Sequence, residues 1–291
     1  MAKAFALYNP IAGDGKKDET IAKLKEKVSD ELILLDITIE ESYNTLFSEI
    51  GQEDYIIVCG GDGTINHFVN KVIDLNIEND IRYFPCGSGN DFAREFGKEK
   101  YDTPFSIKQY LTALPSVEIA GKSSYFINGI GYGIDGYCCD VGNQQRATSD
   151  KPINYTNIAI KGLLFYYKPS NAKITVDGKE YSFKKVWIAP TMNGKYYGGG
   201  FMPTPDQDRA SKDKKLSVMV FHGTSALKTL ILLPSLFTGE HVKYEKHVTI
   251  FEGYDISVEF DSPRAAQIDG ESFVGITSYR ARSSKLVKTE A

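Results

Sequence analysis

Hydrophobic and polar residues alternate in blocks over the first 115 or so positions of the chain. Short apolar runs rich in β-branched residues, typical of buried strands, alternate with stretches whose apolar residues recur at helical spacing. The pattern predicts strands at 4–8, 32–39, 55–59 and 81–84, and helices at 19–31, 44–50, 65–76, 91–96 and 105–114. Because such alternation is typical of a mainly parallel sheet covered by helices, we predict an α/β domain over residues 1–116.

From about residue 117 the pattern becomes that of antiparallel strands. Strand-like runs occur at 124–130, 172–176, 185–190, 216–221, 247–251, 254–260 and 265–268, and helical spacing is confined to 155–167 and 226–237. Turn sequences such as Asp177-Gly178 and Glu252-Gly253 separate neighbouring runs, as in hairpins. We therefore predict a β-rich C-terminal domain, a sandwich, over residues 117–281.

Composition narrows the class of protein. The chain has 291 residues, 42% hydrophobic and 25% charged, which is normal for a globular protein. Its four cysteines form no Cys-x-x-Cys motif, so we expect neither a disulfide framework nor a zinc site, and a cytoplasmic location fits. The net charge of -4 argues against a strong electrostatic attraction to anionic lipid or to nucleic acid. We see no signal peptide, and the most apolar segment, 230–237, is far shorter than the ~20 residues that span a bilayer. Any membrane contact is therefore expected to be peripheral.

A glycine-rich loop, GGDGT at residues 60–64, lies between a predicted strand and a predicted helix. Glycines let the backbone approach a phosphate closely, and the first N–H groups of the helix point towards it. Asp62 would repel phosphates unless a cation lies between them or the carboxylate accepts a proton, which suggests a magnesium-nucleotide site. The loop lacks the Gly-Lys-Ser/Thr ending of a Walker A motif. The alternative is a tight turn with an aspartate cap.

Two more glycine-containing turns follow predicted strands. The first is PCGSGND at residues 85–91, and the second is NPIAGDGK at residues 9–16. Because parallel strands end at the same edge of a sheet, the three turns are expected to line one crevice. The alternatives are helix capping by Asn90 or Asp91 in one turn, and an ordinary loop with a solvated lysine in the other.

These motifs, with others further along the chain, resemble the diacylglycerol kinase catalytic domain family. The motifs that carry the resemblance are Asn9-Pro10, GGDGT at 60–64, GSGNDFAR at 87–94, the Asn…Gly-x-Gly…Asp stretch within 126–135, the glycine-rich segment 193–203 and Asp269-Gly270-Glu271. The similarity is to the soluble bacterial lipid kinases, to which sphingosine and ceramide kinases are related. GGDGT alone is shared with NAD kinases and phosphofructokinases, but its combination with GSGNDFAR and a late Asp-Gly-Glu is much more specific. The resemblance also implies that residues 282–291 pack back onto the first domain.

Phosphoryl transfer to an alcohol needs bound phosphates, a cation and a positioned hydroxyl. The glycine loops supply candidate ATP contacts, and the resemblance adds Thr38 near the end of the second strand. The candidate ATP-binding residues are Asn9, Thr38, Gly60, Gly61, Asp62, Gly63, Thr64, Ile65, Asn66, Ser88 and Asn90. Asp62 and Asp91 are the candidate ligands of Mg²⁺.

The resemblance implies that Glu271 is the general base, because it occupies the place of the family's catalytic glutamate. Asp62 is the competing base, since related sphingosine kinases use that loop aspartate. Without the family, Asp269-Gly270-Glu271 would be taken for a surface hairpin with solvated acids. We predict Glu271, Asp62 and Asp91 as the catalytic residues, acting on one triphosphate terminus.

The resemblance also implies a second, structural metal site at Ala210, Asp213 and Lys215, where bacterial relatives bind magnesium. The sequence departs from the family there, since Lys214 replaces the usual Gly and Ser217 the usual Asp. The alternative is an acidic side chain in a charged surface loop.

The leading functional hypothesis is an ATP- and magnesium-dependent lipid kinase that phosphorylates a lipid alcohol, with diacylglycerol the first choice. It would work in the cytoplasm, peripherally at the inner face of the membrane. The alternatives are an NAD kinase-like phosphotransferase and a nucleotide- or lipid-binding regulator without turnover. The sequence leaves the lipid open, and leaves the oligomeric state open with a homodimer among the candidates.

Overall fold

The computed structural model describes residues 2–10, 17–148 and 153–287 of the chain. The chain divides into two compact units, Met1–Thr112 and Ala113–Ala291. We call them the first unit and the second unit. None of the helices within the described ranges is long and apolar enough to cross a membrane.

Strands and helices alternate along the first unit. The strands are β1 (Lys3–Tyr8), β2 (Glu31–Asp36), β3 (Tyr55–Gly60), β4 (Asp80–Pro85) and β5 (Phe105–Ser106), and the helices are α1 (Lys17–Lys25), α2 (Glu40–Glu49), α3 (Asp62–Val72), α4 (Asp91–Glu95) and α5 (Lys108–Leu111). The strands form one sheet in the order β2-β1-β3-β4-β5. The first four strands run parallel and the short β5 is antiparallel to β4.

The centre of this sheet is the core of the first unit. All six residues of β3 are buried, as expected for a strand covered on both faces. On α3 the buried apolar residues are Ile65, Phe68, Val69 and Val72, at the spacing of one helical face. The predicted α/β domain with a mainly parallel sheet is confirmed.

The second unit is rich in antiparallel strands. The strands are β6 (Ser116–Ile119), β7 (Lys122–Tyr125), β8 (Gly129–Tyr132), β9 (Ser170–Val176), β10 (Lys179–Ile188), β11 (Thr191–Met192), β12 (Leu216–His222), β13 (Val248–Gly253), β14 (Asp255–Ile268) and β15 (Glu271–Arg282). The helices are α6 (Ile134–Thr148), α7 (Tyr155–Lys161), α8 (Ala226–Leu232), α9 (Ser235–Thr238) and α10 (Ser284–Val287), with a π-helical turn at Gly162–Tyr166 and a 3₁₀ turn at Glu240–Lys243. The predicted β-rich domain is confirmed.

These ten strands belong to one curved sheet, in the order β7-β6-β15-β14-β8-β11-β12-β10-β9, with β13 paired to β12. The long strand β14 makes the curvature possible. Its first half pairs with β9 and its second half with β8, while both halves pair with β15. The strands therefore enclose a buried apolar cluster that includes Tyr132, Val218, Val258 and Phe260.

The structure differs from the predicted elements in several places. Strands β6 and β15 were not predicted, and the predicted helix 105–114 is strand β5 followed by helix α5. The predicted strand 124–130 is two strands, β7 and β8, and the two predicted runs 254–260 and 265–268 are the single strand β14. The 15-residue helix α6 was not predicted. The described part of the tail makes contacts in the second unit, where Lys285 lies 3.6 Å from the Asp213 carboxylate. Residues 288–291, and with them the end of the tail, lie outside the described residues.

Candidate active site

Three strands of the first unit end in register at one edge of its sheet. Tyr8 is paired with Cys59, and Cys59 with Phe84. The turns after β1, β3 and β4 therefore leave the sheet at the same edge, as predicted from the parallel order. Asn9 begins the first of these turns, and residues 11–16 of that turn lie outside the described residues.

The turns after β3 and β4 contact each other through glycine backbone. A Cβ atom on Gly87 would lie 2.4 Å from the Cα of Gly61, and one on Gly60 would lie 2.2 Å from Oγ1 of Thr64. The Gly60 carbonyl accepts hydrogen bonds from the amides of Cys86 and Gly87 at 2.9 and 3.1 Å. Only glycines allow this approach, so the two loops form a single backbone surface at the start of α3.

Asn90 holds the second loop in shape. It adopts the left-handed conformation, with φ 52°. Its Oδ1 accepts the Gly87 amide at 2.9 Å and its Nδ2 donates to the Gly87 carbonyl at 2.9 Å. Although Asn90 is the N-cap residue of α4, its side chain makes no capping hydrogen bond. The side chain is buried and supports the loop backbone, so Asn90 positions the loop.

Asp62, in the loop after β3, caps α4, the helix that follows the loop after β4. Its Oδ2 accepts the Asp91 amide at 2.9 Å and its Oδ1 accepts the Phe92 amide at 2.8 Å. These amides open α4, where a carboxylate satisfies N–H groups that have no partner within the helix. Asp91 is 4% exposed, and its carboxylate lies 3.9 Å from the Arg94 guanidinium. The two predicted acidic residues of the first unit are therefore neighbours.

The remaining predicted ATP contacts near the first turn of α3 are of two kinds, buried residues that build the loop and exposed residues. The amides of Thr64 and Ile65 both donate to the Gly61 carbonyl, and their side chains are buried. Gly63 and Ser88 are exposed, whereas Asn66 is half-buried and its carbonyl accepts from the Asn70 side chain. Thr64 and Ile65 therefore build the loop, and the accessible groups are the Gly63 backbone and the Ser88 hydroxyl.

Thr38 lies beyond the end of β2 at the same sheet edge. Its amide and hydroxyl both donate to Oδ1 of Asp36, at 2.9 and 2.7 Å.

A cation that the sequence analysis missed lies at the same sheet edge. The Nζ of Lys17, the first residue of α1, is 4.8 Å from the centre of the Tyr8 ring, and a hydrogen bond with Tyr8 raises the lysine pKa. Its position directly after a glycine-containing turn was the available signal.

Glu271 lies in the second unit, at the tip of the β14–β15 hairpin. Asp269 and Gly270 form the two-residue turn, with φ 48° and 95°, the left-handed pair typical of an Asp-Gly hairpin. Glu271 is the first residue of β15 and is exposed. The motif is therefore a surface hairpin, which was the alternative interpretation, and the same hairpin presents the exposed carboxylate of Glu271.

Asp269 has a structural role in the same motif. Its carboxylate accepts the amides of Ile127, Asn128 and Gly129 at 2.6, 2.8 and 3.1 Å. The buried Arg209 donates to the Asn128 side chain at 2.7 Å, a second hydrogen bond that holds this segment. The hairpin that carries Glu271 is therefore tied to the segment before β8. The sequence analysis did not identify Arg209, since its partners are distant in the chain.

Two ammonium groups, those of Lys214 and Lys285, contact the loop that holds Ala210, Asp213 and Lys215. Lys214 has φ 53°, and its Nζ donates to the Arg209 carbonyl at 2.8 Å. Lys285 lies beside Asp213, as described above. These positive charges compete with a cation for the oxygen atoms of the loop, so the residues present do not favour a magnesium ion there. The metal site at Ala210, Asp213 and Lys215 stays a prediction.

The donor set of Asp62 and Asp91 consists of oxygen atoms, which Mg²⁺ prefers. In the part of the chain that the structure describes, no group of three or more His, Cys, Asp or Glu residues is arranged to hold a metal. Both oxygens of Asp62 already accept backbone amides, and the Asp91 carboxylate is buried beside Arg94, so magnesium binding by this pair stays a prediction.

Comparison with protein families decides the identity of both units. The diacylglycerol kinase catalytic domain model matches residues 3–117, and the YegS C-terminal NAD kinase beta sandwich-like domain model matches residues 128–282. The first unit therefore belongs to the diacylglycerol kinase catalytic domain family, and the YegS C-terminal domain family covers more than half of the chain. The predicted family is thereby confirmed, and the chain is of the lipid kinase class.

Individual proteins that are similar to this chain have names that match the same family. A candidate lipid kinase of Bacillus subtilis, YtlR, is 26% identical over 249 residues, covering 79% of this chain and 77% of its own. A diacylglycerol kinase of Mycobacterium tuberculosis is 26% identical over 258 residues, covering 84% and 82%. A crystal structure of a candidate diacylglycerol kinase from Bacillus anthracis covers 97% of this chain and 93% of its own, with a TM-score of 0.66 at 20% identity. This last similarity shows the fold.

Proposed function

We propose that this protein is an ATP-dependent lipid kinase that transfers the γ-phosphate to diacylglycerol and forms phosphatidic acid. The observation that carries the proposal is the joined pair of glycine loops at the start of α3. Their glycine backbone, the N-terminus of α3 and the neighbouring Asp62 and Asp91 suit the phosphates of a magnesium nucleotide. Membership of the diacylglycerol kinase family supports the lipid acceptor.

Each residue has a defined task in the proposed reaction. The Gly61–Gly63 backbone, the Ser88 hydroxyl and Asn9 contact the phosphates, and Asp91, which is buried beside Arg94, is the proposed magnesium ligand. Asp62 mainly positions the two loops, because both of its oxygens already accept backbone amides. Bound magnesium would offset the negative charge of the phosphates.

Glu271 is the proposed general base. In the transfer the lipid hydroxyl gives its proton to the Glu271 carboxylate, and its oxygen bonds to the γ-phosphorus. The bond from that phosphorus to the β–γ bridging oxygen breaks, and ADP leaves. Glu271 is preferred to Asp62 because its carboxylate is exposed at a hairpin tip, whereas that of Asp62 caps α4. We place the reaction in the cytoplasm, at the inner face of the membrane.

The test is a labelling experiment with a panel of acceptors. Purified protein, γ-labelled ATP and magnesium are incubated with diacylglycerol, phosphatidylglycerol, a sphingoid base, a polyprenol or NAD, and the labelled product is identified. We expect labelled phosphatidic acid. Labelled NADP would show an NAD kinase-like enzyme. ATP binding without any labelled product would show a binding regulator.

A further inference from the structure

The second unit exposes large apolar side chains on two elements that pack against each other. We call them the apolar ridge, and its residues are Leu164, Phe165, Tyr166, Leu227 and Ile231. Phe165, Tyr166 and Ile231 are 73%, 70% and 69% exposed, Leu227 is 62% exposed and Leu164 is 40% exposed. Such a concentration of exposed apolar groups is typical of an interaction surface.

The ridge is continuous because its two elements share one core. The π-helical turn Gly162–Tyr166 packs against α8. Leu163 and Leu232, the inward-facing neighbours of the ridge, belong to the same buried apolar cluster. On α8, Leu227 and Ile231 are four residues apart and so lie on one helical face. The inward side chains fix both elements, and the outward ones face solvent together.

The charged residues in the two segments that carry the ridge are of one sign. Residues 153–168 and 225–238 contain three lysines, Lys161, Lys168 and Lys228, and no Asp or Glu, although the whole chain has a net charge of -4. All three lysines are exposed. Aromatic and aliphatic side chains flanked by lysines are suited to the interface of an anionic bilayer, where rings enter the headgroup region and ammonium groups meet phosphates.

We propose that the apolar ridge is the surface by which this protein docks on an anionic lipid bilayer. The inference rests on the proposed function, because a lipid kinase must reach a lipid alcohol that is embedded in a membrane. None of the described helices is long and apolar enough to cross a membrane, so a surface contact is the route we propose. Phe165 and Tyr166 enter the headgroup region, Leu227 and Ile231 lie beside them, and the three lysines contact lipid phosphates. The ridge thus assigns the orientation of the second unit on the membrane.

The test is flotation with vesicles of phosphatidylcholine alone or mixed with phosphatidylglycerol. The variants are the double substitution Phe165→Ser and Tyr166→Ser, the single Ile231→Ser, and Lys161→Gln with Lys168→Gln. Val274, on β15, is 63% exposed and outside the ridge, so Val274→Ser is the matched control. We expect the double variant to lose at least tenfold in binding to the anionic vesicles, the lysine variant to lose most of the salt-sensitive part, and the control to bind as wild type.

Equal vesicle binding by the wild type and the double variant would overturn the proposal. So would a wild-type dimer that the double variant converts to monomer, since the ridge would then be a contact between two copies of the chain. Because the substituted side chains are exposed, unchanged thermal unfolding serves as the folding check.

Turnover separates this proposal from the proposed function. The double variant should lose activity on diacylglycerol in vesicles and keep it on a dispersed short-chain diacylglycerol. If the wild type binds vesicles through the ridge but phosphorylates no lipid, the docking surface stands and the lipid kinase function fails. If the wild type phosphorylates the short-chain lipid but binds no vesicle, the function stands and the docking surface fails.

Discussion

Asp62 is the residue to which the structure adds most, while its predicted roles as metal ligand and competing base stay predictions. The GGDGT motif indicates a carboxylate beside phosphates, and this led to its assignment as metal ligand and competing base. In the structure the same carboxylate caps α4 through the amides of Asp91 and Phe92. Capping residues normally lie next to the helix they cap, so nothing local in the sequence indicates this partner.

Replacing Asp62 with Asn tests the positioning role. The amide group would keep one acceptor oxygen and turn an NH₂ group towards the second backbone N–H. We expect the free energy of unfolding to fall by about 1–3 kcal/mol, the usual cost of leaving such a donor unsatisfied, measured by chemical denaturation. Asp62→Asn with wild-type stability and no turnover would instead indicate a direct chemical role.

Other residues of the site were predictable to different degrees. The convergence of Gly60, Gly61 and Gly87 follows from strand order, because parallel strands end at one edge. The tasks of Asn90 and Arg209 did not follow, since each depends on hydrogen bonds that only the folded chain brings together. The sequence therefore predicted where the loops lie, but it did not predict which side chains form hydrogen bonds with each other.

At the scale of elements, strong periodicity was predictive and weak periodicity was not. Strand β3 and helix α3 have long apolar signatures and were both predicted. Helix α6 has apolar or half-buried residues at 134, 137, 138 and 141, which is helical spacing, but its glycines and polar residues weaken the pattern. The single strand β14 was predicted as two runs, 254–260 and 265–268, and Pro263 lies between them. In the structure the register of β14 with β15 shifts at the same place.

Asp135, on α6, gives the second unit a pH dependence. Burial raises its pKa from 3.8 to about 6, against the lowering effect of the Gly136 amide, Tyr197 and Gln267. The folded state therefore holds a proton that the unfolded state releases between these pH values, so stability falls as pH rises from about 4 to 6 and then levels. We expect Asp135→Asn to remove this loss. The free energy of unfolding of the variant, relative to that of the wild type, should therefore be about 1–3 kcal/mol higher at pH 8 than at pH 4. Denaturation at the two pH values measures the difference, and a pH-independent difference between the proteins would contradict it.

The loop at residues 208–215 carries its own positive charge. Because the Lys214 ammonium already bonds the Arg209 carbonyl, we expect the melting temperature without nucleotide to be the same in magnesium and in a chelator. Lys214→Gly, which removes that ammonium, should make the melting temperature depend on magnesium. A stabilisation of the wild type by magnesium alone would instead support the metal site at Ala210, Asp213 and Lys215.

At the scale of the whole molecule, each unit has its own core and its own part of the proposed chemistry. The first unit carries the glycine loops with Asp62 and Asp91, and the second carries Glu271 and the apolar ridge. The change from alternating elements to antiparallel strands predicted this division into an α/β and a β-rich part. The exposure of Phe165 and Tyr166 was not predictable, because an aromatic residue in a sequence is more often buried.

The most direct test of the account is phosphatidic acid formation by the wild type and by Glu271→Gln, with ATP binding measured on both. Gln keeps the size of the side chain and removes its capacity to accept a proton. We predict labelled phosphatidic acid from the wild type, and turnover reduced at least a hundredfold in the variant, a typical contribution of general base catalysis, with ATP affinity unchanged. Wild-type turnover in Glu271→Gln would contradict the assignment of the base, and no phosphatidic acid from the wild type would contradict the proposed reaction.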